Sequence, residues 1–309
     1  SSSCRVYMIV EEMSLVPEHH IHRPSLDRYV VRHHVSLRGI TYKRVGKTYI
    51  ILRHGEKIKK LYLDKDSDVF DYPRVIFGRN DRPFFFGAGS ARECREYAAK
   101  VGNTFVVAKE FGKNRSRNFA SYKDRDEFIA ESLTLQHNDR VLHEVITPDT
   151  PAMLAFDHDV DGGLSQLQGH NKGVRRLRDV LFDLLGIAPQ EPVILTSHRT
   201  KSDGKDYLST HQRFPDVTVE SWNVTMKLIL HLLKHTDDEY GGLDFGVSSS
   251  YQQLRIPESH KVGTDTPLLL QDGSTLTSSS LRSLLVSNRT PAPVHITTSQ
   301  VMAALDKHF

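Results

Sequence analysis

The sequence predicts an α+β fold, and three observations lead there. Strand-like segments dominate the first 80 residues, at 5–10, 29–37 and 48–53. From residue 81 onward, helical patterns alternate with short strand-like runs. Within that part the apolar run Met153-Leu154-Ala155-Phe156 leads directly into Asp157, Asp159 and Asp161 at alternate positions, which is the period of a strand. A chain of 309 residues is long enough for one large domain or a core with an accessory module. The expected division is a β-rich accessory segment over 1–80 and a second, larger domain over 81–309.

Composition narrows the class. The hydrophobic share is 38% and the charged share 26%, ordinary for a globular chain. No run approaches the roughly 18 apolar residues that span a bilayer, so no membrane partner is expected. Net charge is only +3, so nucleic-acid binding would have to come from local patches. Cys4 and Cys94 are the only cysteines. Two distant thiols point to an intracellular, reducing compartment and leave no Cys-based zinc site in this chain. Ser1-Ser2-Ser3-Cys4 leads straight into strand-like residues, and no signal peptide is expected. The 17 histidines, among them His19-His20, His33-His34, His198, His211 and His260, are scattered and expected to be mostly solvated.

The elements follow in order. Gly46 and Gly55 bound the 48–53 strand, and the basic run Lys57–Leu63 follows it. Asp64–Pro83 is charged and turn-rich, a boundary signal. Ser90–Val101 reads as a helix with Ser90 as N-cap and Glu93 at capping-box spacing. Thr104–Phe111 reads as a strand, Gly112–Phe119 as a basic loop or strand entrance, and Asp124–Leu135 as a helix. Val141–Thr147 reads as a strand that Pro148-Asp149-Thr150-Pro151 turns back into the Asp157 strand as a hairpin. A helix over 173–186 ends at Gly186. Pro192–Ser197 and Tyr207–Phe214 read as strands joined by the polar loop Arg199–Asp206. Val217–His235 reads as one helix with Trp222, Leu228 and Leu232 on its apolar side, broken by Gly241-Gly242. Leu243–Val247 and Gln253–Pro257 read as strands, and Ser299–Lys307 as a closing helix.

The alternating aspartates carry the first chemical signal. Two carboxylates about 4 Å apart repel by about 4 kcal/mol at an effective dielectric near 20, so such a strand calls for a cation or a proton. Asp-x-Asp-x-Asp-Gly also resembles the start of a calcium loop, but position 168, where that loop needs glutamate, holds Gln168, and a strand precedes the motif. Ser209 and His211 share one face of a strand. They suit a nucleophile and base, a grip on phosphate oxygens, or a polar outer surface. Asp244 is a third carboxylate, followed by the cations Arg255 and Lys261. Taken together, three aspartates supply the oxygen ligands that Mg²⁺ or Mn²⁺ shares with substrate phosphates, and His211, Arg255 and Lys261 suit a triphosphate.

The order of these motifs resembles the archaeo-eukaryotic primase superfamily. Phe156-Asp157-His158-Asp159 (motif one, 156–159), Ser209-Thr210-His211 (motif two) and Leu243-Asp244-Phe245 (motif three) are similar to its three signatures. The continuation through Gly246-Val247, Gln253-Leu254-Arg255-Ile256 and Ser259-His260-Lys261-Val262-Gly263 looks like the PrimPol type. The similarity covers roughly residues 85–263. It differs in having Asp159 where PrimPol often has glutamate, and Gln252 where a further arginine stands.

The resemblance implies a catalytic core on an RRM-like antiparallel sheet with an N-terminal αβ module. It implies a template-dependent DNA primase/polymerase acting in replication priming or damage tolerance, using dNTPs or NTPs, Mg²⁺ or Mn²⁺, and a single-stranded DNA template with primer. It assigns metal to Asp157, Asp159 and Asp244, and the nucleotide to Ser209, His211, Arg255 and Lys261. Arg115, Arg117 and Lys205 are candidate template or phosphate contacts by position. Phe119, Tyr122 and Tyr251 are candidate stacking surfaces. A helicase or zinc-binding module in the full-length protein is compatible with the family. Two rivals come from other classes: a non-catalytic single-stranded nucleic-acid-binding module, and a metal-dependent nuclease. Arg255 and Lys261 favour a triphosphate over the nuclease, and the clustered carboxylates disfavour a simple binder, because without metal they repel nucleic acid.

Overall fold

The computed structural model describes residues 82–111, 116–200, 204–236, 238–247, 249–287 and 289–309, together with the backbone of six strands between residues 7 and 77. The architecture is mixed α+β. The chain divides into two compact units, 1–103 with 117–121, and 104–116 with 122–309.

In the first unit, strands β1 (Tyr7–Val10), β2 (Val30–Ser36), β3 (Ile40–Val45), β4 (Thr48–Arg53) and β5 (Glu56–Tyr62) form an antiparallel meander in chain order. Strand β6 (Val75–Phe77) pairs antiparallel with β7 (Pro83–Phe85). Helix α1 (Ser90–Val101) buries Cys94 and Ala98, and its Tyr97 ring lies 5.3 Å from Phe85. Its N-cap is Gly89 rather than Ser90, which is the first helical residue and buried; no side chain caps this end.

Strand β8 (Phe105–Phe111) belongs to the second unit, whereas residues 117–121 of β9 (Ser116–Tyr122) belong to the first, where Phe119 pairs with Phe85. Helix α2 (Arg125–Ser132) begins at Asp124, whose carboxylate accepts from Glu127 N, and buries Phe128 against Phe105 and Tyr122. Strand β10 (Leu142–Val145) is central, with β8 on one side and a later strand on the other. It therefore has no free edge for the next strand, and the expected hairpin with β11 (Ala152–Asp161) does not form. Instead β11 pairs with β13 (Asp206–Val219) in another sheet.

That sheet runs β11–β13–β12–β15, built from β12 (Val193–Thr200), β13 (Asp206–Val219) and β15 (Leu269–Leu270). Helix α3 (Leu167–Leu185) lies between β11 and β12 in sequence and ends at Gly186. Val217–Val219 extend β13 instead of starting a helix, because they pair parallel with β16 (Val294–Ile296). The chain turns helical only after Ser221, which caps Val224 N, first as a π turn over Trp222–Met226 and then as α4 (Lys227–Lys234). Leu243–Val247 is not a strand: only Leu243 bridges, to His158, and the rest is a turn. Strand β14 (Gln253–Arg255) completes the β14–β10–β8 sheet. Helices α5 (Ser278–Leu284) and α6 (Thr298–His308) close the unit, each with a capping box.

Alternation along β11 sorts its residues onto two faces. Leu154 and Phe156 join a core with Leu177 and Leu181 of α3, Ile229 and Leu233 of α4, Val301 of α6, and Trp222. Each such buried side chain contributes about 1.5–3 kcal/mol. The aspartates are left on the other face. No helix among the described residues is long and apolar enough to cross a membrane.

Candidate active site

The antiparallel register of β11 and β13 sets the site. Asp157 stands opposite His211, Asp159 opposite Ser209, and Asp161 opposite Tyr207. Strand β12 adds Ser197 beside Ser209 and Arg199 beside Tyr207. Two motifs some fifty residues apart in sequence are thus cross-strand neighbours on one face, where opposing Cβ atoms lie about 5 Å apart.

Asp157 is the most constrained member. Its Oδ1 is buried, has no hydrogen-bond donor, and lies 3.5 Å from His211 Nε2. Burial, then the charge of Asp159, pushes its carboxyl up to about 7, against the pull of Arg255 and Lys261; Asp244 also pushes it up. Burial first, then the cations Arg255, Arg213 and Lys261, hold the His211 imidazole well below its ordinary value, so it is neutral. Arg255 is buried and donates through Nη1 to Ser197 Oγ (3.2 Å) and to the Thr266 carbonyl (3.4 Å). Burial first, then the hydrogen bond that the Tyr207 hydroxyl donates to the Asp159 carboxylate, raises the phenol, and Arg199 lies 4.8 Å over the Tyr207 ring.

Backbone pairing brings in the third motif. Asp244 N donates to the Asp157 carbonyl (2.8 Å), and Asp159 N donates to the Gly242 carbonyl (2.9 Å). Asp244 therefore lies along the edge of the acidic strand. Its exposed side chain is engaged locally, with Oδ1 accepting from Gly246 N (2.8 Å). Among the described residues no group of three or more His, Cys, Asp or Glu side chains is arranged to hold a metal ion. The orphaned Asp157 Oδ1 beside Asp159 nevertheless fits a hard cation, which is bound through oxygen.

The sequence reading missed the back of this strand, where histidines expected at the surface are buried. His158 Nδ1 donates to the Tyr240 carbonyl (2.9 Å), and the Gln212 side chain lies 3.2 Å from its Nε2. His170 Nδ1 donates to the Gly241 carbonyl (2.7 Å), while its Nε2 accepts from Thr210 (2.5 Å). Burial lowers both imidazoles, His158 to about 4. These bonds pin residues 240–241, just before Asp244, to β11 and α3, and Gln212 and Thr210 of β13 hold the two imidazoles from behind. Backbone contact leaves no room for side chains here: a Cβ on Gly173 would lie 2.2 Å from Gly241 N, and one on Gly242 would lie 2.3 Å from Asp159 O. No sequence pattern marked these residues, although the Gly241-Gly242 pair hinted at a tight turn.

A second buried group joins the two sheets of this unit. Glu144 on β10 accepts from Val286 N, Ser287 N and Ser287 Oγ, and from Arg213 Nη1 on β13 (3.3 Å). Arg213 also donates to the carbonyls of Leu284 and Arg255. Lys261 sits in a loop anchored on both sides, by His260 against the His137 carbonyl (3.0 Å) and by Val262 N donating to Glu110 Oε2 (3.2 Å).

The remaining candidates are placed as follows. Lys205 is exposed just before β13, and Arg117 lies on β9 in the first unit. Arg115 lies outside the described residues. Phe119 and Tyr122 are buried and offer no stacking surface, whereas Tyr251 is 37% exposed. No family model matches the sequence, and no curated protein matches it.

Proposed function

We propose that this chain is a template-dependent primase/polymerase that transfers nucleotides from dNTPs or NTPs to a primer or initiating nucleotide. The carrying observation is the cross-strand register that sets Asp157 against His211 and Asp159 against Ser209, with Asp244 hydrogen-bonded along the same strand. The five-stranded sheet of β11–β13–β12–β15 with β16, covered by α3 and α4, is what we read as the RRM-like core that the motif order implies.

In this reading a 3′-oxygen attacks the α-phosphate, a new P–O bond forms, and the bond to the β-phosphate breaks as pyrophosphate leaves. Asp157, Asp159 and Asp244 hold Mg²⁺ or Mn²⁺, which when bound lowers the pKa of the hydroxyl and neutralises phosphate charge. Ser209 and the neutral His211 donate to phosphate oxygens, Arg255 supplies fixed positive charge, and Lys261 reaches the outer phosphates. The buried Arg255 is held by Ser197 and Thr266, so it is oriented before substrate arrives. The single-stranded template with primer is the expected partner.

The test is incubation with single-stranded template, labelled dNTPs or NTPs and Mn²⁺, with and without primer. Metal-dependent, template-directed incorporation is expected. Its absence under every metal and nucleotide combination, from folded protein, overturns the proposal.

A further inference from the structure

The β14–β10–β8 sheet carries a row of ionisable side chains on one face. Register pairs His143 on β10 with Arg255 on β14 and with Ala108 on β8. Glu110 lies two residues beyond Ala108, so Glu110, His143 and Arg255 share that face. All three are buried, at 2%, 3% and 4% exposed. Glu110 Oε1 lies 3.6 Å from His143 Nε2. The row reaches the acidic strand: Arg255 and His143 both act on His211, and Arg255 acts on Asp157.

Lys261, whose charge also acts on Asp157 and His211, is held from two sides. Before it, His260 N donates to the Arg140 carbonyl (2.9 Å), and His260 Nε2 lies 3.0 Å from the His137 carbonyl. After it, Val262 N donates to Glu110 Oε2 (3.2 Å). Thr264 closes the turn, donating through N (3.0 Å) and Oγ1 (2.8 Å) to the Lys261 carbonyl. The first anchor comes from chain at 137–140. The second is a carboxylate in the same row as Arg255. A buried carboxylate is a costly acceptor for one amide, and beside an anion site its charge opposes the ligand. Its placement is accounted for if it fixes the Lys261 backbone relative to Arg255.

We propose that Glu110 is a positioning residue for the triphosphate: it ties the Lys261 loop to the sheet that carries Arg255, so that the two cations stand at a set separation before the nucleotide arrives. A hydrogen bond to a carboxylate is roughly twice as strong as a neutral one, which suits an anchor for a loop. A cation held in place beforehand spares the ligand the entropy of ordering it. That Lys261 and Arg255 meet a triphosphate rests on the function proposed above. Glu110 itself touches no substrate and acts through Lys261.

Removing a nearby negative charge strengthens the binding of an anion, whereas removing an anchor weakens it, so the two roles differ in sign. The experiment is calorimetric titration of the full chain with dATP and Mn²⁺, without template or primer, with circular dichroism to check folding. Glu110→Ala is expected to weaken dATP binding about tenfold, the worth of one hydrogen bond to a charged group. Glu110→Gln keeps an acceptor for Val262 N and loses the charge, and is expected to bind within about threefold of wild type or more tightly. Glu110→Asp keeps the charge and shortens the reach by one methylene. It stands in if the alanine variant misfolds, and is expected to bind more weakly than Glu110→Gln. In the Lys261→Ala background, Glu110→Ala is expected to cost less than about twofold more, because the anchor acts through Lys261. In primer extension, Glu110→Ala is expected to raise the KM for dATP while kcat stays within about threefold. Unchanged or tighter binding by folded Glu110→Ala, equal losses in the alanine and glutamine variants, or losses that add to those of Lys261→Ala overturn the positioning role. A wild type that binds no dATP overturns both the role and the function. A wild type that incorporates nothing, yet binds dATP in a way that depends on Glu110, overturns the polymerase and keeps the anchor.

Discussion

Asp157 and His211 face each other across β11 and β13, with His211 Nε2 3.5 Å from Asp157 Oδ1, and neither group carries its ordinary charge tendency. The carboxyl is raised to about 7, while the imidazole is held well below its usual value. Burial drives both shifts, since it disfavours a charge of either sign.

This gives a pH signature. The Asp157 carboxyl titrates higher in the folded chain than in the unfolded one, so its contribution favours folding at low pH and is lost as pH rises from about 4 through about 7. A shift of this size corresponds to ~4 kcal/mol. The buried His158, His170 and His211 are shifted downward, so their contributions run the other way, lost as pH falls through and below 6.5. The difference between wild type and Asp157→Asn isolates the carboxyl. In EDTA, the variant's gain in melting temperature is expected to grow from pH 4 to pH 7.5. A constant gap across that range contradicts the raised carboxyl.

Metal should act through the same atom. At pH 7.5, Mn²⁺ is expected to raise the melting temperature of wild type and to leave Asp157→Asn/Asp159→Asn unmoved. The double variant is also expected to lose nucleotide incorporation by at least a thousandfold while keeping its fold. Thermal scans with and without Mn²⁺, beside primer extension, check both.

His211→Ala is expected to raise the apparent KM for nucleotide about tenfold or more while template affinity changes less than twofold. The residue lies opposite Asp157 and within the field of Arg255 and Lys261, where phosphate would sit. Steady-state kinetics and template anisotropy on the same preparation separate the two quantities, and equal losses would exclude a phosphate role.

Glu144→Ala should be among the most destabilising changes in the second unit. It leaves Arg213 fully buried and unneutralised and strips Val286 N and Ser287 N of their acceptor. Breaking a buried pair on one side costs about 3–5 kcal/mol, whereas replacing both partners with apolar groups is often neutral. Urea denaturation of Glu144→Ala, against Glu144→Leu/Arg213→Met, is expected to show recovery in the double variant.

Gly173→Ala tests the close approach of α3 to the turn before Asp244. Helix propensity alone favours alanine by about 1 kcal/mol. The new Cβ would nevertheless meet Gly241 N at 2.2 Å. The expected outcome is a lower melting temperature and a larger fractional loss of incorporation than of template binding, because the turn leads into Asp244.

The period-two aspartates, the shared face of Ser209 and His211, and the α3 helix ending at Gly186 were legible in the sequence because each is set by neighbours one to four residues away. So was the α+β class. What the tertiary structure decided is which distant segments meet. The β10 strand, occupied on both edges, sends β11 to β13 rather than into a hairpin. Val217–Val219 stay extended because β16 pairs with them. The segment after Gly242 is a turn held to β11 by two backbone bonds, not a strand. His158, His170 and Glu144 are buried because their partners arrive from 40 to 143 residues away. A polar side chain withdraws from water only when such partners are in place, and local sequence does not specify them.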